Sequence, residues 1–425
     1  MNKRIGEISR NGAIYSLYGF FLSTTFSLAL EQNFIGLAMI FVIIDIFAER
    51  KFKLKPHPDI FAFFILLFVI WSIISALVNP TPLNSLIALK EEWLFLMIPL
   101  IGYLCRDEKI LRKCLVLFGI SVAVISLYGI FQHFTGIDFY HGTPLHEVVP
   151  GSHGYRARGF FTHRMTFGIY YAVASMMLLG LAPFVENRKT KILFYIGFGA
   201  AALASIFSYS RGAQLAILAG VMLFVLWPGR KSWKAPAALI SLMVVVTIFA
   251  APGIQKRYSD IVDIELNSEY KWGGTRLLIW EASAGMIADN PVFGVGQGNY
   301  YDNYTDYRAP RDDRVQGHAH NDILNIAAYA GIPAAIFFVG FWAVMVYKMV
   351  GLLMKLRKKG VCDLRYGIAA GVFTASFVFF LCSGFEAAFA DEELRLLLMA
   401  LWGIFFGLNR IVKATGGITE KIGMT

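Results

Sequence analysis

Histidine is the side chain best suited to carry a proton near neutral pH, and two of them stand in Gly317-His318-Ala319-His320-Asn321-Asp322, at the mouth of a long apolar run. Two other polar interruptions of apolar sequence, Ser210-Arg211-Gly212 and Gly274-Thr275-Arg276, each carry an arginine. A base and two permanent cations at a membrane surface predict chemistry on an anionic lipid carrier. His318 and His320 differ by two positions, so on one helix they point to different sides and only one faces a given site. His320 has the better position for a general base. It opens the Asn321-Asp322 helix start, where the positive end of the dipole disfavours imidazolium. Zinc would need a third and preferably a fourth ligand, and neither an HExxH pattern nor a cysteine pair supplies one, so no metal is expected.

Arg211 lies between two apolar runs joined by a few residues, a costly place unless it faces protein, water or an anion. Its planar fork matches phosphate oxygens, and Ser210 and Gly212 permit close backbone approach; the plainer alternative is a snorkelling interfacial arginine. Arg276 opens an amphipathic helical run, where its charge does not complement the helix dipole. A bound anion would account for it, or an acidic partner such as Glu281 or Asp313. Arg156 and Arg158, in Gly154-Tyr-Arg-Ala-Arg-Gly159, are further candidates for an anionic headgroup, against an ordinary solvated basic loop. Lys90, Glu91 and Glu92 fall inside an apolar run, where charges pair internally or serve a function. An internal ion pair is the default, with Lys90 on a lipid phosphate as the functional option. Arg311-Asp312-Asp313-Arg314 is expected to neutralise itself in a solvated loop and not to hold a divalent ion. The glycines of Phe293-Gly-Val-Gly-Gln-Gly-Asn299 imitate a nucleotide loop, but no strand and helix flank them as a βαβ unit requires, so a tight outer turn is expected.

What must position these residues is a bundle of membrane-crossing helices. With 57% hydrophobic and 16% charged residues over 425, and a mean hydropathy of +0.57, the chain is too apolar for a soluble globular protein. Apolar stretches predict an all-α integral membrane protein with about twelve transmembrane helices, at 12–30, 33–48, 60–78, 84–104, 113–132, 165–185, 192–208, 213–228, 235–251, 321–348, 366–385 and 394–411. Lys and Arg collect at every second connection, which puts both termini in the cytoplasm. The net charge of +10 follows largely from that signal and does not imply nucleic-acid binding. The first apolar segment lacks a cleavage site and is expected to stay as a helix. Cys105, Cys114, Cys362 and Cys382 fall at cytoplasmic margins or inside spans, with no redox or metal spacing. The expected organisation is 1–131 with helices one to five, an outer loop at 132–164, helices six to nine at 165–251, a large outer loop at 252–320, and the last three helices with a cytoplasmic tail at 321–425. Within the large loop, Thr275 to Ala288 reads as a helix closed by Asn290-Pro291.

At these residues the chain resembles the O-antigen ligase and polymerase superfamily of bacterial envelope glycosyltransferases. The resemblance runs from about Arg156 to Gly331 and rests on Arg158-Gly-Phe-Phe, Ser210-Arg211-Gly212, Thr275-Arg276 followed by Trp280, the stretch Asp289 to Asn299, and His320-Asn321 with Gly331 eleven residues after the histidine. The ligase pattern expects Gly, Thr or Tyr three residues beyond that glycine, where this chain has Ala334. The resemblance implies a GT-C-like fold with one long periplasmic loop containing short helices. It also implies inverting transfer of a glycan from undecaprenyl diphosphate to an acceptor hydroxyl at the periplasmic face of the inner membrane, with no nucleotide sugar, cofactor or metal. His320 is then the general base, Arg211 and Arg276 stabilise the leaving pyrophosphate, and Arg156, Arg158, His318 and Lys90 are substrate-binding candidates. The best-fitting acceptor is lipid A-core. A polymerase or a protein O-oligosaccharyltransferase would use the same donor, and the rival of a different class, a lipid or polysaccharide transporter, would place its charges near the bilayer midplane.

Overall fold

The computed structural model describes residues 2–48, 59–148, 154–226, 272–310, 312 and 315–414. Among them every regular element is a helix: α1 (Asn2–Ser23), α2 (Leu28–Ala48), α3 (Ile60–Val78), α4 (Pro82–Ala88), α5 (Met97–Leu104), α6 (Glu108–Thr135), α7 (Arg164–Leu181), α8 (Arg188–Phe207), α9 (Arg211–Leu226), α10 (Trp272–Asp289), α11 (Tyr300–Tyr307), α12 (Asp322–Lys358), α13 (Leu364–Ser383) and α14 (Glu392–Ala414). Eight of the described helices are long and apolar enough to cross a membrane, namely α2, α3, α6, α7, α8, α12, α13 and α14. The protein is thus an all-α, multi-pass membrane protein. The expected span 235–251 lies outside the described residues. The expected span 84–104 is not one helix: α4 gives way to a 3-10 segment, Leu89–Leu96, before α5 resumes.

Lipid gives no hydrophobic drive for helix to meet helix, so packing and small residues must do it. The innermost helix is α7, whose residues from Thr166 to Leu181 are all buried. It meets α13 backbone to backbone, since a Cβ on Gly180 would stand 2.2 Å from the Cα of Gly371. Helix starts are closed locally: the side chains of Asp107, Asn187 and Asp363 accept from Lys109 N, Lys189 N and Arg365 N at 2.8, 3.0 and 2.9 Å. Lys355, Arg357 and Lys358 lie in the last turn of α12, and His320 precedes its first.

That long helix is broken. Gly331 has φ 83° and ψ 168°, and Pro333 follows it, removing an N–H and disfavouring helical backbone at Ile332. The carbonyls freed by the break are met by the glycine-rich turn between α10 and α11. Val295 N–H donates to Ala328 O and Gly296 N–H to Tyr329 O, each at 2.9 Å, and Ile332 N–H donates back to Pro291 O at 2.8 Å. The Trp71 indole on α3 donates to Ala330 O at 3.1 Å and stacks on Phe293, with centroids 5.6 Å apart. The glycines are needed for approach: a Cβ on Gly331 would lie 2.0 Å from Val292 O, and one on Gly294 2.4 Å from Tyr329 C. So the turn is a structural clasp, in keeping with the tight turn expected for Phe293 to Asn299, and it sets α10 against the upper part of α12.

The clasp predicts that Gly331→Ala, which combines a positive φ with a backbone collision, destabilises the folded protein by several kcal/mol, since left-handed strain alone costs about 1–3 kcal/mol. Gly351→Ala, at a position with nothing within 4 Å, should be neutral or slightly stabilising. Thermal unfolding of the detergent-solubilised protein separates the two. Equal melting temperatures for both variants would show that the clasp contributes nothing.

Candidate active site

His320 is the residue just before the N-cap of α12. Asn321 caps the helix, its side chain accepting from Leu324 N–H at 3.0 Å, and His320 turns the chain into it with φ 49°. Non-glycine residues rarely hold a positive φ, and among the described residues only Tyr209 (φ 56°) shares it. Tyr209 lies in the α8–α9 turn, two residues before Arg211. Both strained positions therefore sit beside residues singled out for chemistry. The His320 backbone N–H donates to His318 Nδ1 at 3.3 Å, and the indole of Trp280 on α10 donates to Ala319 O at 3.0 Å. The loop before α12 is thereby tied to the helix that carries Arg276.

The residue that joins these parts is Glu386, in the segment between α13 and α14. Its Oε1 takes a hydrogen bond from His320 Nδ1, and its Oε2 receives Arg276 Nη2 at 3.4 Å. A carboxylate can only accept, so Nδ1 carries the ring proton and Nε2 is left with the lone pair. Other bonds hold the segment in place. Asn321 Nδ2 donates to Gly384 O at 3.2 Å, Phe389 N–H to both oxygens of Asp322 at 3.0 and 2.9 Å, and Thr166 Oγ1 on α7 to Asp391 Oδ2 at 2.6 Å. Burial opposes ionisation of Glu386, but the His320 hydrogen bond first, and the neighbouring imidazoles and Arg276 with it, outweigh it and hold the carboxyl below its usual range. His318 is driven the other way. Burial first, then His320, Arg276 and His163, bring its pKa down to about 4, with Glu386 opposing.

Arg211 begins α9 at the same end of the bundle. A Cβ on Gly212 would touch Phe385 at 3.4 Å, one residue from Glu386, and the Arg211 charge acts on the Arg276 guanidinium. The α8–α9 turn is fastened by Arg164, whose Nη1 donates to Ser208 O and Tyr209 O, each at 3.2 Å. The structure thus brings together His318, His320, Arg211 and Arg276. Arg156 lies against the same turn, since Ala157 N–H donates to Phe207 O at 2.9 Å and Tyr209 is an electrostatic neighbour of Arg156.

Arg158 and Lys90 go elsewhere. Arg158 Nε binds Asp138 Oδ2 at 2.8 Å, and its Nη2 binds Thr143, so the arginine clips the 132–164 loop onto a buried carboxylate. Lys90 is exposed on the 3-10 segment, and its neighbour Glu92 pairs with Arg395 of α14, not with Lys90. Asp312 is buried and accepts from the Tyr304 hydroxyl at 2.8 Å, which corrects the expectation of a solvated loop at that aspartate. Glu386 and Asp138 were not foreseen. An acid just past an apolar span was the available signal, but Asp391, Glu392 and Glu393 follow within a few residues and nothing in their spacing selects one.

Residues 196–339 match the family model described as O-antigen ligase. The resemblance read from the motifs is borne out, and the matched stretch contains Arg211, Arg276, His318, His320 and Gly331 while excluding Arg156, Arg158 and Glu386. The chain is also 26% identical over 311 residues to a protein of Rickettsia typhi, and 25% identical over 320 residues to one of Rickettsia prowazekii. Each alignment covers 67% of this chain and 70% of the relative, and both relatives carry the provisional name polysaccharide ligase.

Glu386→Gln puts an amide where only an acceptor serves, freeing the ring to adopt the opposite tautomer. Turnover should fall by at least roughly a hundredfold, as expected when the orienting acid of a histidine base is lost, while the protein stays folded. Wild-type turnover in this variant would remove Glu386 from the site. His318 gives a separate, acid-linked expectation. Its folded pKa of about 4 lies below the ordinary 6.5, so between these values the unfolded chain binds the extra proton. The stability is complete above pH 6.5 and is lost as pH falls toward 4. His318→Asn should flatten that part of the melting-temperature profile, and a profile unchanged from wild type would contradict it.

Proposed function

We propose that this protein is an O-antigen ligase, transferring a glycan from undecaprenyl diphosphate to lipid A-core at the periplasmic face of the bacterial inner membrane. The observation that carries the reading is Glu386, which orients the ring of His320 and neutralises Arg276 at once. Two arginines, one at the start of α9 and one in α10, supply planar donor forks of the kind that match diphosphate oxygens. The basic last turn of α12 lies at the helix's opposite end, which fits a cytoplasmic location for that end and a periplasmic one for the site.

In the reaction, an acceptor hydroxyl attacks the anomeric carbon and passes its proton to His320 Nε2, while Nδ1–H holds the imidazole, and the imidazolium that forms, against Glu386. The new C–O bond forms opposite the breaking bond to the diphosphate oxygen, whose electron pair stays on the departing lipid diphosphate. The anomeric centre inverts. Arg211 and Arg276 stabilise the charge that grows on the leaving group, and Arg156 extends the anion-binding surface beside Tyr209. His318, neutral at working pH, receives the His320 backbone N–H and lines the acceptor side. Arg158 acts by fastening the loop, and Lys90 is left outside the reacting group.

Transfer measured with a synthetic undecaprenyl-diphosphate glycan and purified lipid A-core should vanish in His320→Ala while the protein remains folded. Arg211→Lys and Arg276→Lys keep the charge but lose the bidentate fork, and each should lose about a hundredfold in rate, roughly the 3 kcal/mol of one transition-state donor. Full activity in both lysine variants would reject the clamp. EDTA should not lower turnover, because the two arginines do the electrostatic work that a divalent ion does elsewhere. Inactivation by EDTA with recovery on Mg²⁺ would overturn that mechanism. In a deletion strain, uncapped core with accumulated long lipid-linked polymer identifies the ligase; core capped by a single repeat identifies a polymerase.

A further inference from the structure

The sequence spaces His318 and His320 as two ligands without a third, and the fold supplies the third. One ligand atom each from His318, His320 and Glu386 lie within 4.8 Å of one another. We propose that these three residues form an inhibitory site for a borderline divalent ion of the zinc type, whose binding takes the general base out of action. This rests on the reading of His320 as the base. It does not make the ion a resident cofactor.

The donor set selects the ion. Two imidazoles and one carboxylate suit Zn²⁺, and its analogues Co²⁺, Ni²⁺ and Cu²⁺, whereas Mg²⁺ and Ca²⁺ take shells of oxygen. Three protein ligands leave a fourth position for water, the pattern of an open zinc site. Metal–ligand bonds of about 2.0–2.2 Å fix where the ligand atoms stand around an ion, and atoms within 4.8 Å of one another need only a small movement to meet it. Side-chain rotation at His318, in the loop before α12, and at Glu386, between α13 and α14, provides that movement. Arg276 opposes it. Its guanidinium lies 3.4 Å from Glu386 Oε2 and the Arg211 charge is close by, so the ion must share the carboxylate with one cation and bear the repulsion of another. The site is therefore weaker than a dedicated zinc centre and fills reversibly.

Either ring nitrogen gives the same result. An ion on Nδ1 breaks the bond to Glu386 and sends the ring proton to Nε2, where the acceptor hydroxyl needs a lone pair. An ion on Nε2 occupies that lone pair directly. In both cases no bond of the substrate is made or broken, and removal of the ion restores the original tautomer.

The test uses the full chain in detergent after treatment with EDTA, with Co²⁺ as a spectroscopic probe and Zn²⁺ as the inhibitor. The expected result is one Co²⁺ per chain with the visible absorption of a four-coordinate ion, at least roughly tenfold weaker binding in His318→Asn and in Glu386→Gln, and loss of transfer on saturation with Zn²⁺ that EDTA reverses and Mg²⁺ does not imitate. Absence of stoichiometric Co²⁺ binding, undiminished binding in both variants, or Zn²⁺ binding that leaves transfer unchanged would each overturn the proposal. The base assignment fails separately: an active His320→Ala would sink it whatever the Co²⁺ spectrum shows.

Discussion

The architecture around the site depends on one close contact, the seating of the turn 291–296 in the break of α12. An interrupted helix inside apolar surroundings leaves carbonyls that must find donors, because none is available from lipid. Here Val295, Gly296 and Trp71 supply them, and Gly331 and Gly294 lack the Cβ atoms that would keep the backbones apart. The contact is also a ruler. It fixes the end of α10, with Arg276 further back along that helix, against the first turns of α12, which His320 precedes.

Charge completes what the clasp arranges. Arg211 and Arg276 repel each other, and Glu386 answers them only in part because it also holds His320. On the proposed reading, a lipid diphosphate seated there would be met by the same two guanidinium groups that stabilise its departure. The strained backbone at His320 and Tyr209 belongs to the same economy of space. Each strained residue ends one chain segment abruptly so that the next helix starts, with its arginine or histidine, beside the segment that carries Phe385 and Glu386.

Much of this was legible in the chain because it is written locally. Apolar length set the fold class, basic clusters marked alternate helix ends, and Asn321 and Gly331 marked where a helix starts and where it breaks. His320, Arg211 and Arg276 stood out because polar residues in apolar surroundings need a reason. Arg158 had the same local appearance, and only the distant Asp138 shows that it fastens a loop. The helix expected at 84–104 failed for a related reason: Glu92 within that run pairs with Arg395 on the distant α14, and the chain there takes a 3-10 course.

The sequence by itself determined an all-α membrane protein and drew out a histidine and two arginines at the ends of its apolar runs, since hydropathy, capping residues and charge position act over one or two helical turns. Tertiary structure alone decided which acid completes them. Glu386 is 66 residues from His320 and 110 from Arg276, separations over which no periodicity in the chain carries information. It is selected by the packing of α12, α13 and α14, and by the bonds from Asn321, Phe389 and Thr166 that fix the segment around it. The tautomer of His320, and with it the nitrogen free to accept a proton, follows from that packing.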